Sequence, residues 1–231
     1  MSILELKNIR KSFDNKVVLD GIDLTVDQGE VVSILGPSGS GKSTLLNIMA
    51  GLEKPTKGEV IVAGQHLENM TENQLVKFRR EKVGFIFQSF NLLGTMNAIE
   101  NVALPLTFRG VDKKVREAKA VKMLKLVGLS KHMLHRPNEM SGGQQQRVGV
   151  ARALVLDPEI IFADEPTGNL DSHTSAEVLG LMRKVVQEKN QTMVMVTHDN
   201  HLAGFADRIF HIIDGKIVKI ETRSEYKEDE Q

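Results

Sequence analysis

The chain carries a glycine-rich loop pattern at residues 36–44, directly after the apolar run Val31 to Leu35. The pattern is Gly-x-x-x-x-Gly-Lys-Ser, and a strand before it with a helix after it is the setting that a phosphate-binding loop requires. Small residues let backbone N–H groups approach phosphate oxygens, and the N-terminus of the following helix adds about half a positive charge. These positions predict an α/β fold of P-loop type. The loop consists of Gly36, Pro37, Ser38, Gly39, Ser40, Gly41, Lys42, Ser43 and Thr44.

Two side chains of this loop have predicted contacts of their own. Lys42 is placed to reach the outer phosphates of a nucleotide, and the Ser43 hydroxyl is placed to ligate Mg²⁺. The competing interpretation is a Gly- and Ser-rich surface turn, which is disfavoured by the strand before the loop and by the helical pattern from Ser43 to Ala50 after it. Nucleotide binding is therefore the prediction, but such a loop does not say which nucleotide-hydrolysing enzyme this is.

Outside the loop, strand and helix patterns alternate along the chain. Alternating apolar and polar residues predict half-buried strands over Ile3 to Ile9 and Val17 to Val26, with turns at Asp20-Gly21 and Gln28-Gly29. Short apolar runs predict strands buried on both faces, and this alternation predicts a mostly parallel sheet with right-handed crossovers. The remaining predicted elements are strands Val83 to Phe87, Ile160 to Ala163 and Thr192 to Thr197, helix Thr174 to Lys189, and a hairpin of Arg208 to Ile213 with Lys216 to Ile220.

The middle of the chain has a mainly helical character. Five apolar residues at spacing three predict an amphipathic helix there. We expect one domain over residues 1–231: a nucleotide-binding core with an antiparallel β lobe (about 1–88 and 159–220), a helical lobe (about 89–158) and a solvated tail (221–231). The five residues of the stripe are Val115, Ala118, Val121, Leu124 and Val127.

Composition excludes several classes of function. Thirty Lys and Arg balance thirty Asp and Glu, which removes the basic field that a nucleic-acid-binding protein uses, so nucleic acid is not an expected partner. The chain has no Cys and therefore no disulfide framework or thiolate site. No apolar run reaches the roughly 18 residues of a membrane helix, so any work on a membrane must pass through another chain.

Two acids follow a predicted buried strand. Asp164 and Glu165 come directly after Ile160 to Ala163, and parallel strands bring their carboxyl ends to the edge where the P-loop lies. Asp164 is expected to hold Mg²⁺, and Glu165 is expected to polarise an attacking water. A helix N-cap with its first turn is the alternative interpretation of such a pair.

A second glycine-rich helix beginning lies at Ser141, Gly142, Gly143 and Gln144, followed by Gln145-Gln146-Arg147. Ser141 can cap the helix, and the glycines allow an anion to approach the exposed N–H groups. At this segment the sequence resembles the ATP-binding cassette (ABC) family, whose signature motif it matches. The resemblance covers essentially the whole chain with the motifs in family order. Met140 replaces the usual Leu before the signature, a change that conserves volume.

The resemblance assigns roles to four further residues. Gln88 resembles the Q-loop glutamine that touches Mg²⁺ and the attacking water, Asp171 resembles the D-loop aspartate, and His198 resembles the switch histidine that contacts the γ-phosphate. Phe13 takes the place of the aromatic residue that stacks on adenine, for which the family more often uses Tyr. The alternatives are surface positions for Gln88 and His198 and a core position for Phe13.

The resemblance implies ATP and Mg²⁺ as cofactors and a head-to-tail homodimer. Each ATP would lie between the P-loop of one copy and residues 141–144 of the other, with Glu165, Lys42, His198 and Gln88 as the catalytic set. It also implies an integral membrane permease on a separate chain and a peripheral position on the cytoplasmic face of the membrane. The substrate and the direction of transport are not encoded in this chain.

The segment from Asp164 to Asp171 and the stretch from Phe85 to Leu93 are similar to the branch of lipoprotein-release and macrolide-export ATPases. Some members of this branch transmit force without transport, so an ATP-gated regulatory clamp on a membrane partner is the alternative function. Soluble ABC proteins of DNA repair or translation are a further alternative. The segment between Lys42 and Ser141 has no sustained heptads for the long coiled coil of repair proteins, and the chain has one set of motifs where translation proteins carry two.

Overall fold

A computed structural model describes residues 1–14, 16–223 and 225. Most predicted elements are present in it. The strands in these ranges are β1 (Ser2–Phe13), β2 (Lys16–Asp27), β3 (Val31–Leu35), β4 (Lys57–Val62), β5 (Gln65–His66), β6 (Val83–Ile86), β7 (Ile160–Asp164), β8 (Thr192–Thr197), β9 (Arg208–Ile213) and β10 (Lys216–Thr222). The α-helices are α1 (Lys42–Met49), α2 (Glu72–Lys82), α3 (Ala98–Phe108), α4 (Lys113–Leu126), α5 (Gly142–Leu154), α6 (Ser172–Glu188) and α7 (Asn200–Ala203).

The strands form two sheets. In the larger one the order is β10-β9-β3-β8-β7-β6, and all neighbours are parallel except β10, which forms an antiparallel hairpin with β9. The smaller sheet has the order β2-β1-β4-β5 and is antiparallel. A mostly parallel core sheet, an antiparallel β subdomain and a helical segment between β6 and β7 are the fold class that the sequence predicted.

The central strands β3, β7 and β8 explain why three motifs meet. β3 and β8 are buried at every position, and β7 is buried at every position before Asp164. Such strands lie inside the sheet with helices on both faces, so their side chains are all apolar or small. Their carboxyl ends lie side by side, with Leu35 opposite Thr197 and Asp164 opposite Val196. The residues that follow each strand therefore share one edge.

Two local predictions were wrong. Asp20-Gly21 is not a turn: β2 runs through it, and the register against β1 shifts between Ile9 and Arg10. Asp-Gly is typical of turns, but a glycine with φ of 75° serves equally well at an irregularity within a strand. β6 was predicted as a fully buried strand, yet it is the edge strand of its sheet and alternates partly buried with buried positions.

The helix predicted from the apolar stripe exists as α4, but only Leu124 and Val127 of the five predicted residues are buried. Val115 and Ala118 are exposed, and the buried residues are Ala120, Met123, Leu124 and Val127. A spacing of three residues moves about 60° around a helix at each step, so a series of five cannot stay on one face. The observed set follows the spacing of three and four that a helix face requires.

The sequence interpretation missed β4, β5, α2, α3 and α7. It placed the beginning of the solvated tail at Glu221, whereas β10 continues to Thr222 and the Glu221 side chain is buried. Residues 224 and 226–231 of the predicted tail lie outside the described residues. In the part of the chain that is described, no helix has the length and apolar character needed to cross a membrane.

Candidate nucleotide-binding site

The loop between β3 and α1 is fixed by its backbone. A Cβ atom at Gly36 would lie 2.2 Å from the carbonyl oxygen of Ile212, so only glycine fits there. Gly41 has a φ of 98° and directly precedes α1, so the loop enters the helix through a left-handed residue. The first N–H groups of a helix have no partners within it and point outward. The loop thus presents backbone donors at the edge of the sheet.

Lys42 lies inside this loop. Its side chain is 5% exposed, and its ammonium group donates to the carbonyl oxygens of Gly36 and Pro37, both at 2.8 Å. Burial lowers the pKa of Lys42, while the negative charges of Glu165 and Asp164 act in the opposite direction. A desolvated cation at the beginning of a helix favours a bound anion.

Asp164 contacts the beginning of α1 from the neighbouring strand. The hydroxyl of Ser43 donates to Oδ1 of Asp164 at 3.2 Å. Burial raises the pKa of Asp164, and the charge of Glu165 raises it further, while the bond from Ser43 and the charge of Lys42 lower it. A cation beside a carboxylate with a raised pKa stabilises its charged form. Asp164 and Glu165 are not a helix cap, because the next helix, α6, begins only at Ser172.

Glu165 is held in a strained conformation beside His198. Its φ is 41°, which is uncommon for a residue with a side chain, and its N–H donates to the carbonyl of Val196 at 3.1 Å. Nδ1 of His198 lies 3.0 Å from Oε1 of Glu165. Both residues line a cavity of about 560 Å³ that also reaches Gly168 and Leu170. The carboxylate therefore faces an open space that water can enter.

Gln88 lies against the chain segment that follows Glu165. A Cβ at Gly168 would lie 2.7 Å from Nε2 of Gln88, and Nδ2 of Asn169 donates to the Gln88 carbonyl at 3.0 Å. Asp171 caps α6, since its Oδ1 accepts the Thr174 N–H at 3.0 Å. Hydrogen bonds from the side chain and the N–H of Thr174 lower the pKa of Asp171. The structure thus gathers Gln88 and Asp171 around one turn.

Ser141 is the N-cap of α5, as predicted. Its Oγ accepts the N–H of Gln144 at 3.3 Å, and Oε1 of Gln144 accepts the N–H of Ser141 at 3.0 Å, which forms a complete capping box. Ser141 is exposed. Added Cβ atoms at Gly142 and Gly143 would meet Leu170 and Thr174. These close contacts are made with residues outside the loop 36–41.

Phe13 ends β1 and is 45% exposed, so it is not a core residue. The ammonium group of Lys11 lies 4.8 Å from the centre of its ring. Phe13 pairs with Lys16, and a short distance along β2 the carbonyl of Val18 would lie 2.9 Å from a Cβ at Gly41. The ring is therefore an accessible apolar face near the P-loop.

The sequence interpretation missed two polar residues of α5. Gln146 is fully buried, and its Nε2 donates to the carbonyls of Pro166 and, at 3.4 Å, of Phe87. Arg152 donates to the carbonyls of Phe90 and Asn91, two successive residues with positive φ. Both side chains tie α5 to the strand ends that carry Gln88 and Glu165. A polar residue at a helix position that the apolar pattern predicts to be buried was the sequence signal that could have identified them.

Comparisons with known proteins agree with this geometry. A family model described as ABC transporter matches residues 19–168, a range that includes both glycine-rich segments. The chain is 46% identical over 216 residues to the lipoprotein-releasing system ATP-binding protein LolD of Bacteroides fragilis, which covers 94% of this chain and 100% of the relative. It is 46% identical over 223 residues to the macrolide export ATP-binding/permease protein MacB of a Shewanella species, covering 95% of this chain and 34% of MacB.

A solved structure matches as well. The dimeric post-hydrolysis state of the ATP-binding cassette MJ0796 of Methanocaldococcus jannaschii, bound to ADP and Pi, superimposes with a TM-score of 0.86 at 42% identity. The match covers 95% of this chain and 98% of that one. The mixed parallel sheet and the antiparallel sheet described above are therefore those of a known nucleotide-bound fold.

Proposed function

This chain belongs to the ABC transporter family, and from that premise we propose that it is the ATP-binding and ATP-hydrolysing subunit of a transport system. The observation that carries the proposal is the meeting of Lys42, the Ser43–Asp164 pair and the Glu165–His198 pair at the carboxyl ends of adjacent strands. Phosphoryl transfer to water requires three parts: a cation held in a backbone loop, an acid beside a hydroxyl, and a carboxylate that faces open space.

The loop from Gly36 to Thr44 binds the phosphates in this proposal. Its N–H groups and Lys42 surround the β- and γ-phosphates. Oγ of Ser40, in the same loop, is buried and has no hydrogen-bond partner among the described residues. Phe13 stacks on the adenine, since its ring is exposed and near the loop. Burial of Lys42 becomes favourable when an anion replaces the lost water.

The same edge fits Mg²⁺. Ser43 and Asp164 supply a hydroxyl and a carboxylate oxygen, and Gln88 supplies an amide oxygen, which are the ligand types that Mg²⁺ prefers. No group of three or more His, Cys, Asp or Glu that could hold a metal occurs among the described residues, so phosphate oxygens and water would complete the coordination. When bound, the cation neutralises charge on the outer phosphates.

Glu165 is the general base of the proposed hydrolysis. It accepts the proton of a water that attacks the γ-phosphorus, and the bond between that phosphorus and the bridging oxygen breaks to give ADP and phosphate. Nδ1 of His198 orients the carboxylate, which leaves Nε2 for the γ-phosphate. The strained backbone of Glu165 fits such a role, because strain of this kind gathers at functional sites.

The active unit is proposed to be a head-to-tail dimer. Ser141 is the exposed cap of this helix beginning, Gly142 and Gln144 are half-buried and Gly143 is buried. The close contacts of the two glycines lie outside the chain's own P-loop. A helix beginning with glycines binds an anion well, and the related cassette MJ0796 forms a dimer bound to ADP and Pi. The signature segment of one copy therefore closes over the ATP held by the other, with Asp171 beside it.

An integral membrane permease on a separate chain is the proposed partner, and it would hold this subunit on the cytoplasmic face of the membrane. LolD is named as the ATP-binding protein of a lipoprotein-releasing system, and MacB joins ATP-binding and permease parts in one protein. These relatives favour transport over the regulatory clamp. We propose the core from 1–88 and 159–220 and the helical lobe from 89–158 as parts of one ATPase domain, in which β10 extends the core to Thr222.

The variant Glu165→Gln tests the proposal. It keeps the shape of the site and removes the base, so the rate of ATP hydrolysis should fall about 10²- to 10⁴-fold while ATP binding remains. The bound ATP should then trap the dimer, which light scattering with and without ATP measures. Glu188→Gln, an exposed change on α6, is the control and should leave both properties unchanged. A Glu165→Gln chain that stays monomeric with saturating ATP would contradict the sandwich.

A further inference from the structure

His132 lies in the loop between α4 and α5 and contacts the beginning of α5. Its Nε2 atom is 3.3 Å from Nε2 of Gln144. The Oε1 atom of the same amide accepts the N–H of Ser141 at 3.0 Å. Gln144 therefore connects the imidazole of His132 with the backbone of the signature serine.

The backbone of Ser141 decides which way the Gln144 amide faces. A backbone N–H can only donate, so the amide oxygen must face Ser141 and the NH₂ group must face His132. An NH₂ group also only donates, so Nε2 of His132 must accept. An imidazole accepts at Nε2 only when it is neutral and carries its proton on Nδ1. The other tautomer and the protonated ring would both set donor against donor.

The opposite side of the His132 ring is buried. Nδ1 of His132 is buried and has no hydrogen-bond partner in the described ranges. The ring packs edge to face against His135, with ring centres 5.1 Å apart and planes at 79°. An aromatic face can act as a weak hydrogen-bond acceptor for an N–H group that has no oxygen acceptor nearby. Nδ1 of His135 is buried in the same way, so a charged imidazole here would be poorly solvated.

The backbone keeps His132 in place without help from its side chain. The N–H of His132 donates to the carbonyl of Leu129 at 3.0 Å. The carbonyls of Met133 and His135 accept the N–H groups of Ile99 and Ala98 at 3.1 and 3.0 Å, at the beginning of α3. A substitution of the ring therefore removes the contact with Gln144 but leaves the loop anchored.

We propose that neutral His132, as the Nδ1–H tautomer, is a positioning residue that fixes the Gln144 amide and thereby holds Ser141 in the orientation needed to close over ATP. The inference rests on the proposed function, since the orientation of Ser141 affects hydrolysis only if Ser141 meets the nucleotide of a second copy. His132 itself touches neither ATP nor the reacting atoms.

Three variants test the hydrogen-bond direction. His132→Gln keeps an acceptor of similar reach and should retain activity, whereas His132→Arg sets a donor against the NH₂ group and should lower kcat about five- to tenfold. Ser130→Arg adds the same charge at an exposed position of the same loop and is the matched control.

The affinity of each variant for ATP, measured by calorimetry under conditions where the chain is monomeric, should equal that of the wild type because the P-loop is untouched. Wild-type kcat in His132→Arg, or a loss of kcat in His132→Gln equal to that in His132→Arg, would overturn the proposal. A merely structural role of the imidazole ring would lower kcat in His132→Gln and His132→Arg alike.

A spectroscopic measurement decides the tautomer independently of activity. In ¹⁵N-labelled protein near pH 8, the His132 signals, assigned by their loss in His132→Gln, should show a protonated Nδ1 and an unprotonated Nε2. A protonated Nε2 would overturn the proposal. If the wild-type chain hydrolysed no ATP, the proposed function would fail, and the tautomer would still decide whether His132 orients Gln144.

Discussion

The two glycine-rich helix beginnings of this chain, at α1 and at α5, are built in opposite ways. The beginning of α1 lies at the edge of the buried sheet, where Lys42 is 5% exposed and Gly36 has no space for a side chain. The beginning of α5 presents an exposed Ser141 and is held by its own capping box. The beginning of α1 is a preformed phosphate-binding loop, whereas the beginning of α5 is a capped helix end that presents Ser141 at the surface. Each chain therefore carries both parts that the proposed head-to-tail dimer requires, a phosphate-binding loop and a signature segment.

Lys42→Ala should have the largest effect, because it disrupts the phosphate-binding loop before α1. Loss of the buried cation removes its direct interaction with the phosphates, so affinity for ATP should fall at least about 100-fold, or about 2.7 kcal/mol. Calorimetry with ATP measures this. Lys57→Ala, which removes an exposed lysine of β4, is the control. An unchanged dissociation constant in Lys42→Ala would remove the P-loop assignment.

Ser141→Ala should have the next largest effect and separates the two halves. The rate of ATP hydrolysis should fall about tenfold or more, because the hydroxyl no longer reaches the partner's nucleotide, while affinity for ATP in the monomer stays unchanged. Loss of the cap should also lower stability by about 1 kcal/mol.

Thr71→Ala is a matched control for that loss of stability. Thr71 caps α2 through the same type of capping box, with Gln74 in the role of Gln144. The control should cost similar stability and leave hydrolysis unchanged. Equal loss of hydrolysis in both variants would show that Ser141 acts only through the stability of its helix.

Gln146→Met should have the smallest effect and tests the connection between the halves. The buried amide of Gln146 donates to carbonyls beside Glu165 and Gln88. Its loss removes the donor to the Pro166 oxygen, whereas the Phe87 oxygen still accepts the N–H of Phe90. The free energy of unfolding should fall by about 1 kcal/mol, as denaturant titration measures. Gln145→Met, on the same helix with one bond to Met140, should cost less. An equal cost would show that the buried contacts carry no special weight.

The sequence was sufficient where the relevant contacts are local. The P-loop, the acids after β7 and the cap at Ser141 are each made of neighbouring residues, so their spacing indicates them. For the acids, spacing also allowed a helix cap, which the beginning of α6 at Ser172 excludes. Asp20-Gly21 and the face of α4 were mispredicted because the same residues suit a turn or a bulge, and because apolar spacing of three does not define one face. The ABC resemblance placed Gln88 and His198 by their order in the chain.

Contacts between distant segments could not be predicted in this way. Gln146 and Arg152 bind backbone carbonyls that lie 20 to 62 positions away in the chain. A backbone carbonyl has no sequence signature, so only the fold reveals these partners. The contact between His132 and Gln144 is closer in sequence, but it depends on the path of the loop before α5, which the sequence pattern does not define.

The central claim is that Ser141 of one copy meets the P-loop of the other, and a cysteine pair tests it most directly. The chain has no cysteine, so a mixture of Ser38→Cys chains and Ser141→Cys chains, both carrying Glu165→Gln, can form only engineered disulfides. Oxidation with ATP and Mg²⁺ should produce a mixed dimer joined between positions 38 and 141, and omission of ATP should abolish it. Absence of this product under conditions in which ATP is bound would contradict the account.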